Sequence, residues 1–396
     1  MKNVRAYRLS NIDMLRGLVI VIMAIDHVRD FFMLAGVQDP MTQPDVSTGV
    51  YLTRWVTHFC APVFVILAGV SAGLMAKRKT KRKLAAFLFK RGIWLILVEV
   101  VIISTAYSFS QISGVAEADG RLLIILQVIW AIGASMVALS ICQYLGAKFC
   151  LILGLLLVFG HNALDTVWPS GELLSGSDPY WYGLLSQSSF ATNSYLFVTA
   201  YPLLPWVGVM LSGYGLAFVF EKEALVRNRI LLRSGIVMIV LFIVIRATGW
   251  YGDPNPWMVH EGSVKATVFD FMNVTKYPPS LLFLLATLGP MSIICSFASK
   301  MKGKLKDILV LFGRVPFAFY VVHWYLIRLL SLALGKYQGF GLDEMSTFFF
   351  FFPEGYGISL FGVYVIWVLV IVILYPFCRR VAKIKSTRKD WWLSYV

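Results

Sequence analysis

The residues of this chain able to do acid–base or anion-binding chemistry are few, and they stand in or beside long apolar runs. Asp26 adjoins His27, Arg54 precedes His58 by four residues, His161 precedes Asp165 by four, and His323 precedes Arg328 by five. A neutral imidazole, with an unperturbed pKa of about 6.5, can take a proton from an attacking hydroxyl or amine while a carboxylate fixes its tautomer. Asp26 neighbours His27 in sequence and points to a different part of a helix surface, so the orienting carboxylate can come from elsewhere. Asp13 and Arg16 are three residues apart and share one helix face. They form either an interfacial anchor or a seat for an anionic ligand, with Gly17 permitting close approach of another helix or a cofactor. Arg314 is a second basic group of that kind, and Glu99, inside its own apolar run, either holds Arg54 or another cation or lines a cavity. The five cysteines show no CxxC or CxxH spacing, and with the unpatterned histidines they indicate neither a disulfide framework nor a metal site.

These groups are costly to place because of what surrounds them. The chain has 396 residues, 58% hydrophobic and 14% charged, with mean hydropathy +0.73, values that exclude an ordinary water-soluble domain. The formal charge of +15 sits at the ends of apolar runs, which is the pattern of cytoplasmic juxtamembrane loops and not a nucleic-acid footprint. The basic clusters Lys77–Lys83, Glu221–Arg229, Lys300–Lys306 and Arg379–Lys389 place both termini in the cytoplasm and divide the chain into about ten membrane helices. The expectation is an all-α, polytopic transmembrane bundle forming one integral membrane domain over residues 1–396, without repeats or a soluble domain.

Those helices run over about residues 12–32, 50–75, 84–107, 122–144, 149–164, 195–220, 230–247, 278–299, 308–334 and 358–377. Outer segments follow at 33–49, around Glu117 and Asp119, at 165–194, 248–276 and 335–357, the last with the run Phe348–Pro353; an extra short helix is possible near 268–277 or 348–352. In this topology His27, His58, His161 and His323 fall at similar depth near the outer side, while Asp13, Arg16 and Arg314 fall near the inner side. Positive groups inside and imidazoles outside suit an anionic donor entering from the cytoplasm and an acceptor arriving from outside.

The stretches IDMLRG and IDHVRDFF, THFCAPVFVILAGVSAGL, FGHNALD, YPLLPWVGVMLSGYGL, KYPPSLLFLLATLGP and FGRVPFAFYVVHWYLI resemble a bacterial family of multi-spanning proteins related to heparan-alpha-glucosaminide N-acetyltransferase. The first helix is also distantly similar to that of membrane acyltransferases that modify surface glycans. The resemblance implies transfer of an acetyl or other short acyl group from acetyl-CoA or another acyl-CoA, held on the cytoplasmic side, to a sugar amine or hydroxyl on the far side. It implies a bacterial cytoplasmic (inner) membrane location. The Asp, Arg and His pattern of the distant acyltransferases matches Asp13, Arg16 and His27, which favours His27 as base and Arg16 as a donor-side residue. In the heparan enzyme the catalytic histidine precedes the second helix, whereas residues 38–57 here contain none; the role falls to His27 or His58, with His323 positioning the acceptor or stabilising charge.

The resulting reading is a membrane-bound acyltransferase. Its catalytic candidates are His27, His58, His323 and Asp26, its donor-binding candidates Asp13, Arg16 and Arg314, and Arg54, Glu99, His161 and Asp165 are further site candidates. Membrane lipids and an extracytoplasmic glycan or small amine or hydroxyl acceptor are the expected partners, with no nucleic acid and no metal, and the oligomeric state is open. The rival readings are a transporter or flippase for a polar or lipid-linked solute and a noncatalytic membrane partner of another protein.

Overall fold

The computed structural model describes residues 2–34, 41, 46–108, 120–348, 351–388 and 390–394. Glu117 and Asp119, most of the first outer loop, and Phe349 and Phe350 of the aromatic run lie outside the described residues. In chain order the helices begin with α1 (Lys2–Phe32), α2 (Thr48–Thr57), α3 (Cys60–Ala76) and α4 (Lys81–Leu97), which continues through a π-helical segment (Val98–Ile103) into α5 (Ser104–Ser108). Then come α6 (Val128–Cys142), α7 (Ala147–Gly160), α8 (Leu203–Gly215), α9 (Ala224–Thr248), α10 (Val264–Met272) and α11 (Leu281–Phe297). The last are α12 (Lys304–Arg314), α13 (Pro316–Tyr337), α14 (Leu342–Met345) and α15 (Leu360–Thr387). Three short strands, β1 (Leu122–Leu126), β2 (Ser188–Ala191) and β3 (Tyr195–Thr199), form one small sheet in the order β1-β3-β2.

Among the described residues, seven helical stretches are long and apolar enough to cross a membrane: Thr48–Ala76, Val128–Leu145, Ala147–Leu164, Leu203–Glu221, Ala224–Thr248, Pro316–Tyr337 and Leu360–Thr387. α9 and α15 leave apolar side chains such as Val240, Val244, Val368 and Val372 exposed, a surface that lipid chains satisfy. The protein is an integral, multi-spanning membrane protein, helical apart from the small sheet.

That sheet corrects two expected helix starts. Residues 122–126 (LLIIL) and 195–199 (YLFVT) are apolar enough to extend the neighbouring helices on hydropathy alone, yet both are strands. Their β-branched and aromatic side chains suit a ladder, and Pro202 ends the extended backbone just before α8 begins. β2 and β3 pair antiparallel from Ser188 opposite Thr199 to Ala191 opposite Leu196. The expected ninth helix also divides. Pro316 biases the residue before it away from helical backbone, and Val315 sits at φ −130°, ψ 44°, between α12 and α13.

The chain divides into two compact units, the first made of Met1–Cys60, Val101–Leu123 and Lys300–Val396, the second of Ala61–Val100 and Ile124–Ser299. In the first, α1 packs along α2, α12, α13 and α15. Its crossing with α12 has no side chain at the contact: a β-carbon on Gly17 would lie 1.7 Å from the Leu309 carbonyl oxygen, and one on Gly313 1.6 Å from that of Asp13. The freedom expected at Gly17 is therefore filled by a helix. Trp367 Nε1 donates to the Val21 carbonyl at 2.9 Å and ties α15 to the same helix.

In the second unit α9 packs on α11, α7 on α8, and α6 on both α4 and α8. The small-residue stretch of α3 meets α8 closely, since a β-carbon on Gly213 would lie 2.3 Å from the Ile66 carbonyl oxygen. Glu99, fully buried in the π-helical segment, accepts from the Trp130 N–H at 3.0 Å. Gln127 provides no side-chain cap at the start of α6, so a carboxylate from another helix satisfies an orphan donor at the positive end of the helix dipole. Glu99→Leu is expected to cost about 1–3 kcal/mol, seen as a lower melting temperature in detergent. Glu99→Gln keeps an acceptor and should lose less; equal losses would show that capping is not its role.

Candidate functional site

The unbroken helix α1, which begins at Lys2 and not near residue 12 as expected, carries Asp13 and Arg16 near its middle and His27 toward its C-terminal end, all in the first unit. The imidazole of His27 meets that of His323 on α13, with His27 Nδ1 2.6 Å from His323 Nε2. His323 is fully buried, and His27 keeps partial access to its surroundings. On its far side His323 Nδ1 faces the carbonyl oxygen of Tyr320. A carbonyl can only accept, so Nδ1 of His323 carries a proton; in the neutral pair its Nε2 then accepts from His27 Nδ1–H. In that arrangement Nε2 is the acceptor nitrogen of the His27 ring, the more accessible of the two rings. Trp324 stacks on His27 with ring centroids 3.9 Å apart and planes 22° apart, and Tyr107 meets Trp324 edge-on at 4.7 Å.

Charges one turn from the histidines neutralise one another. Asp26 accepts from Arg54 at 2.7 Å and pairs with Arg29 at 3.1 Å, and Arg29 also holds Asp30 at 2.5 Å. Arg54 is thus a partner of Asp26. His58 is buried just beyond the last residue of α2, where its N–H closes on the Trp55 carbonyl. Beside this cluster Arg328, fully buried on α13, donates to the carbonyl oxygens of Met345 at 2.5 Å and Thr347 at 3.1 Å. Its guanidinium also lies over the ring of Phe352 at 5.4 Å. Tyr356 donates to the Phe31 carbonyl at 3.0 Å; burial pushes its phenol well above the ordinary range, with Arg328 pulling the other way. The segment after α13 is thereby tied to the helices that bear the imidazoles.

Farther back along α1, Asp13 and Arg16 form the expected pair, 3.6 Å apart and partly accessible. Arg314, the last residue of α12, is exposed.

Three expected site residues, Glu99, His161 and Asp165, belong to the second unit, and the last two work there as struts. His161 Nδ1 lies 3.0 Å from the Leu157 carbonyl, and its Nε2 lies 3.0 Å from that of Pro279, which fastens the end of α7 to the entry of α11. Asn162 donates to Asp165 at 2.7 Å and accepts from the Leu281 N–H at 2.8 Å. Burial raises the Asp165 carboxyl above the usual carboxylate range, against the opposing pull of Asn162 and His161. Arg246, which sequence reasoning passed over, is buried at the end of α9 and donates to the carbonyls of Asn255, Asp270, Phe271 and Asn273. An arginine closing an apolar helix before a long loop is the signal that marks it. The described residues contain no group of three or more His, Cys, Asp or Glu side chains placed to hold a metal ion.

The family model described as heparan-alpha-glucosaminide N-acetyltransferase, catalytic, matches residues 8–249, more than half of the chain. The matched span includes Asp13, Arg16, His27 and His58 and ends before His323. No curated protein matches the chain.

Arg328→Met leaves the carbonyls of Met345 and Thr347 without their donor. It is expected to lower stability by about 1–3 kcal/mol and to speed limited proteolysis between residues 338 and 358. An unchanged cleavage rate there would show that Arg328 does not hold the segment.

Proposed function

The chain belongs to the heparan-alpha-glucosaminide N-acetyltransferase catalytic family, and from that premise we propose that it moves an acetyl or other short acyl group from acyl-CoA on the cytoplasmic side to a sugar amine or hydroxyl on the other side, with His27 as general base. The observation that carries this assignment is the 2.6 Å contact between His27 and His323. It makes Nε2 the acceptor nitrogen of the more accessible ring, and it supplies a neutral acceptor for the Nδ1 proton of the imidazolium that forms.

In the reaction the acceptor nitrogen or oxygen attacks the thioester carbonyl, His27 Nε2 takes its proton, and the tetrahedral intermediate collapses by breaking the carbon–sulfur bond. The coenzyme A thiolate leaves and regains a proton from the imidazolium. His323 is a positioning residue, because it touches His27 and fixes its tautomer, as a carboxylate does elsewhere. Trp324, stacked on His27, stabilises the transient positive charge. Asp26 takes no proton here; with Arg29, Arg54 and Asp30 it forms a neutralised network beside the base.

Arg16, oriented by Asp13, is the proposed donor-side cation. Its backbone is about eleven residues from His27, or about 16 Å along one unbroken helix at 1.5 Å per residue, a span suited to an extended pantetheine arm. The proposed setting is the bacterial cytoplasmic membrane with both termini inside, as the basic clusters after α3, α8 and α11 and in the last turns of α15 support. α1, the rod formed by α4 to α5, and α11 would then join the seven long apolar stretches as membrane helices.

The test is incubation of the purified protein in detergent with radiolabelled acetyl-CoA and a glycan bearing free amines. His27→Ala is expected to lose about 10²–10⁴-fold in transfer. His323→Gln, whose side-chain carbonyl can still accept from His27 Nδ1, should retain more than His323→Ala. Arg16→Ala should raise KM for acetyl-CoA more than it lowers kcat. Absence of protein-dependent transfer or thioester hydrolysis would sink the reading, and solute accumulation without cleavage would replace it with transport.

A further inference from the structure

The inner end of the first unit contains a groove that the acyl-transfer reading does not use. It has a volume of about 250 Å³ and is lined by Asp307, Val310, Leu311, Arg314, Tyr375 and Arg379, from α12 and α15. The guanidiniums of Arg314 and Arg379 are exposed, and Arg314 lies within electrostatic reach of Asp13.

Its position is that of a membrane boundary. α15 is apolar from Leu360 to Phe377 and turns basic at Arg379, Arg380, Lys383 and Lys385; the groove sits at that change. On the apolar side Val368, Leu369, Val372 and Ile373 are exposed, a path that acyl chains would cover. α12 buries Leu309, Val310 and Phe312 against the fold and turns Lys304, Leu305 and Asp307 outward, the composition of a helix lying in the interface.

We propose that this groove holds the phosphodiester of an anionic glycerophospholipid of the cytoplasmic leaflet. Two guanidiniums bind phosphate oxygens in their fork geometry, and the Tyr375 hydroxyl is a further donor. Asp307 accepts from hydroxyls of a glycerol headgroup. With two arginines and one aspartate the lining carries one net positive charge, which a singly anionic lipid neutralises and a zwitterionic one does not. Arg314 thereby moves from the donor side, where its sequence context put it, to a lipid site. The proposal stands independently of the acyl-transfer reading.

The experiment uses the full-length protein, purified in detergent, delipidated, and exposed to mixed micelles of phosphatidylglycerol, phosphatidylethanolamine and phosphatidylcholine, with bound lipid read by native mass spectrometry. Phosphatidylglycerol is expected to be retained preferentially, and each of Arg314→Gln and Arg379→Gln to weaken retention about tenfold. Lys302→Gln, outside the groove lining, should leave retention unchanged. Melting temperature reports folding, and either single variant suffices if the double variant fails to fold. Equal retention of the three lipids, or unchanged retention in the folded arginine variants, would overturn the proposal. So would displacement of bound phosphatidylglycerol by free coenzyme A, which would make the groove part of a donor site.

Discussion

The hydrogen bond between His27 and His323 sets the demands that the rest of the first unit meets. Two imidazoles 2.6 Å apart share a single proton along one line, so a small rotation of either ring breaks the contact. Something else must fix each ring. The Tyr320 carbonyl holds His323, and Trp324 lies flat on His27. Both of those residues come from α13, so the register of α1 against α13 is what the chemistry depends on. That register is set away from the histidines, where Gly17 and Gly313 let α1 and α12 touch backbone to backbone and Trp367 clips α15 to the Val21 carbonyl.

Electrostatics around the pair follow the same economy. An isolated buried charge is very costly in an apolar medium, so the charges here occur in matched groups. Asp26, Arg29, Asp30 and Arg54 balance two against two. Arg328 is compensated differently, by carbonyl oxygens and an aromatic face, and in this way a cation orders the irregular segment after α13.

In the second unit the polar side chains near helix ends act on backbone. Glu99 accepts from the first turn of α6, His161 reaches carbonyls of α7 and of the entry to α11, and Arg246 collects four carbonyls of the segment after α9, two of them at the end of α10. Helix ends surrounded by apolar side chains have no water to satisfy them, so side chains that look functional in an apolar run take on that task.

Much of this protein was legible before any coordinates. Long apolar runs, basic clusters at their ends and a few ionisable groups inside them determined a helical membrane protein, because hydrocarbon leaves the backbone few other options. That Asp13, Arg16 and His27 share one helix was equally readable, since a single apolar run spans them. Tertiary structure decided which of the four histidines meet. His58 and His161 have sequence contexts as suggestive as that of His323, yet only packing of α13 on α1 brings His323 to His27, 296 residues away in the chain. It also decided that Asp26 serves Arg54, that Glu99 caps a helix, and that two apolar pentapeptides are strands. Each of these outcomes depends on a partner distant in sequence, and local spacing carries no record of such a partner.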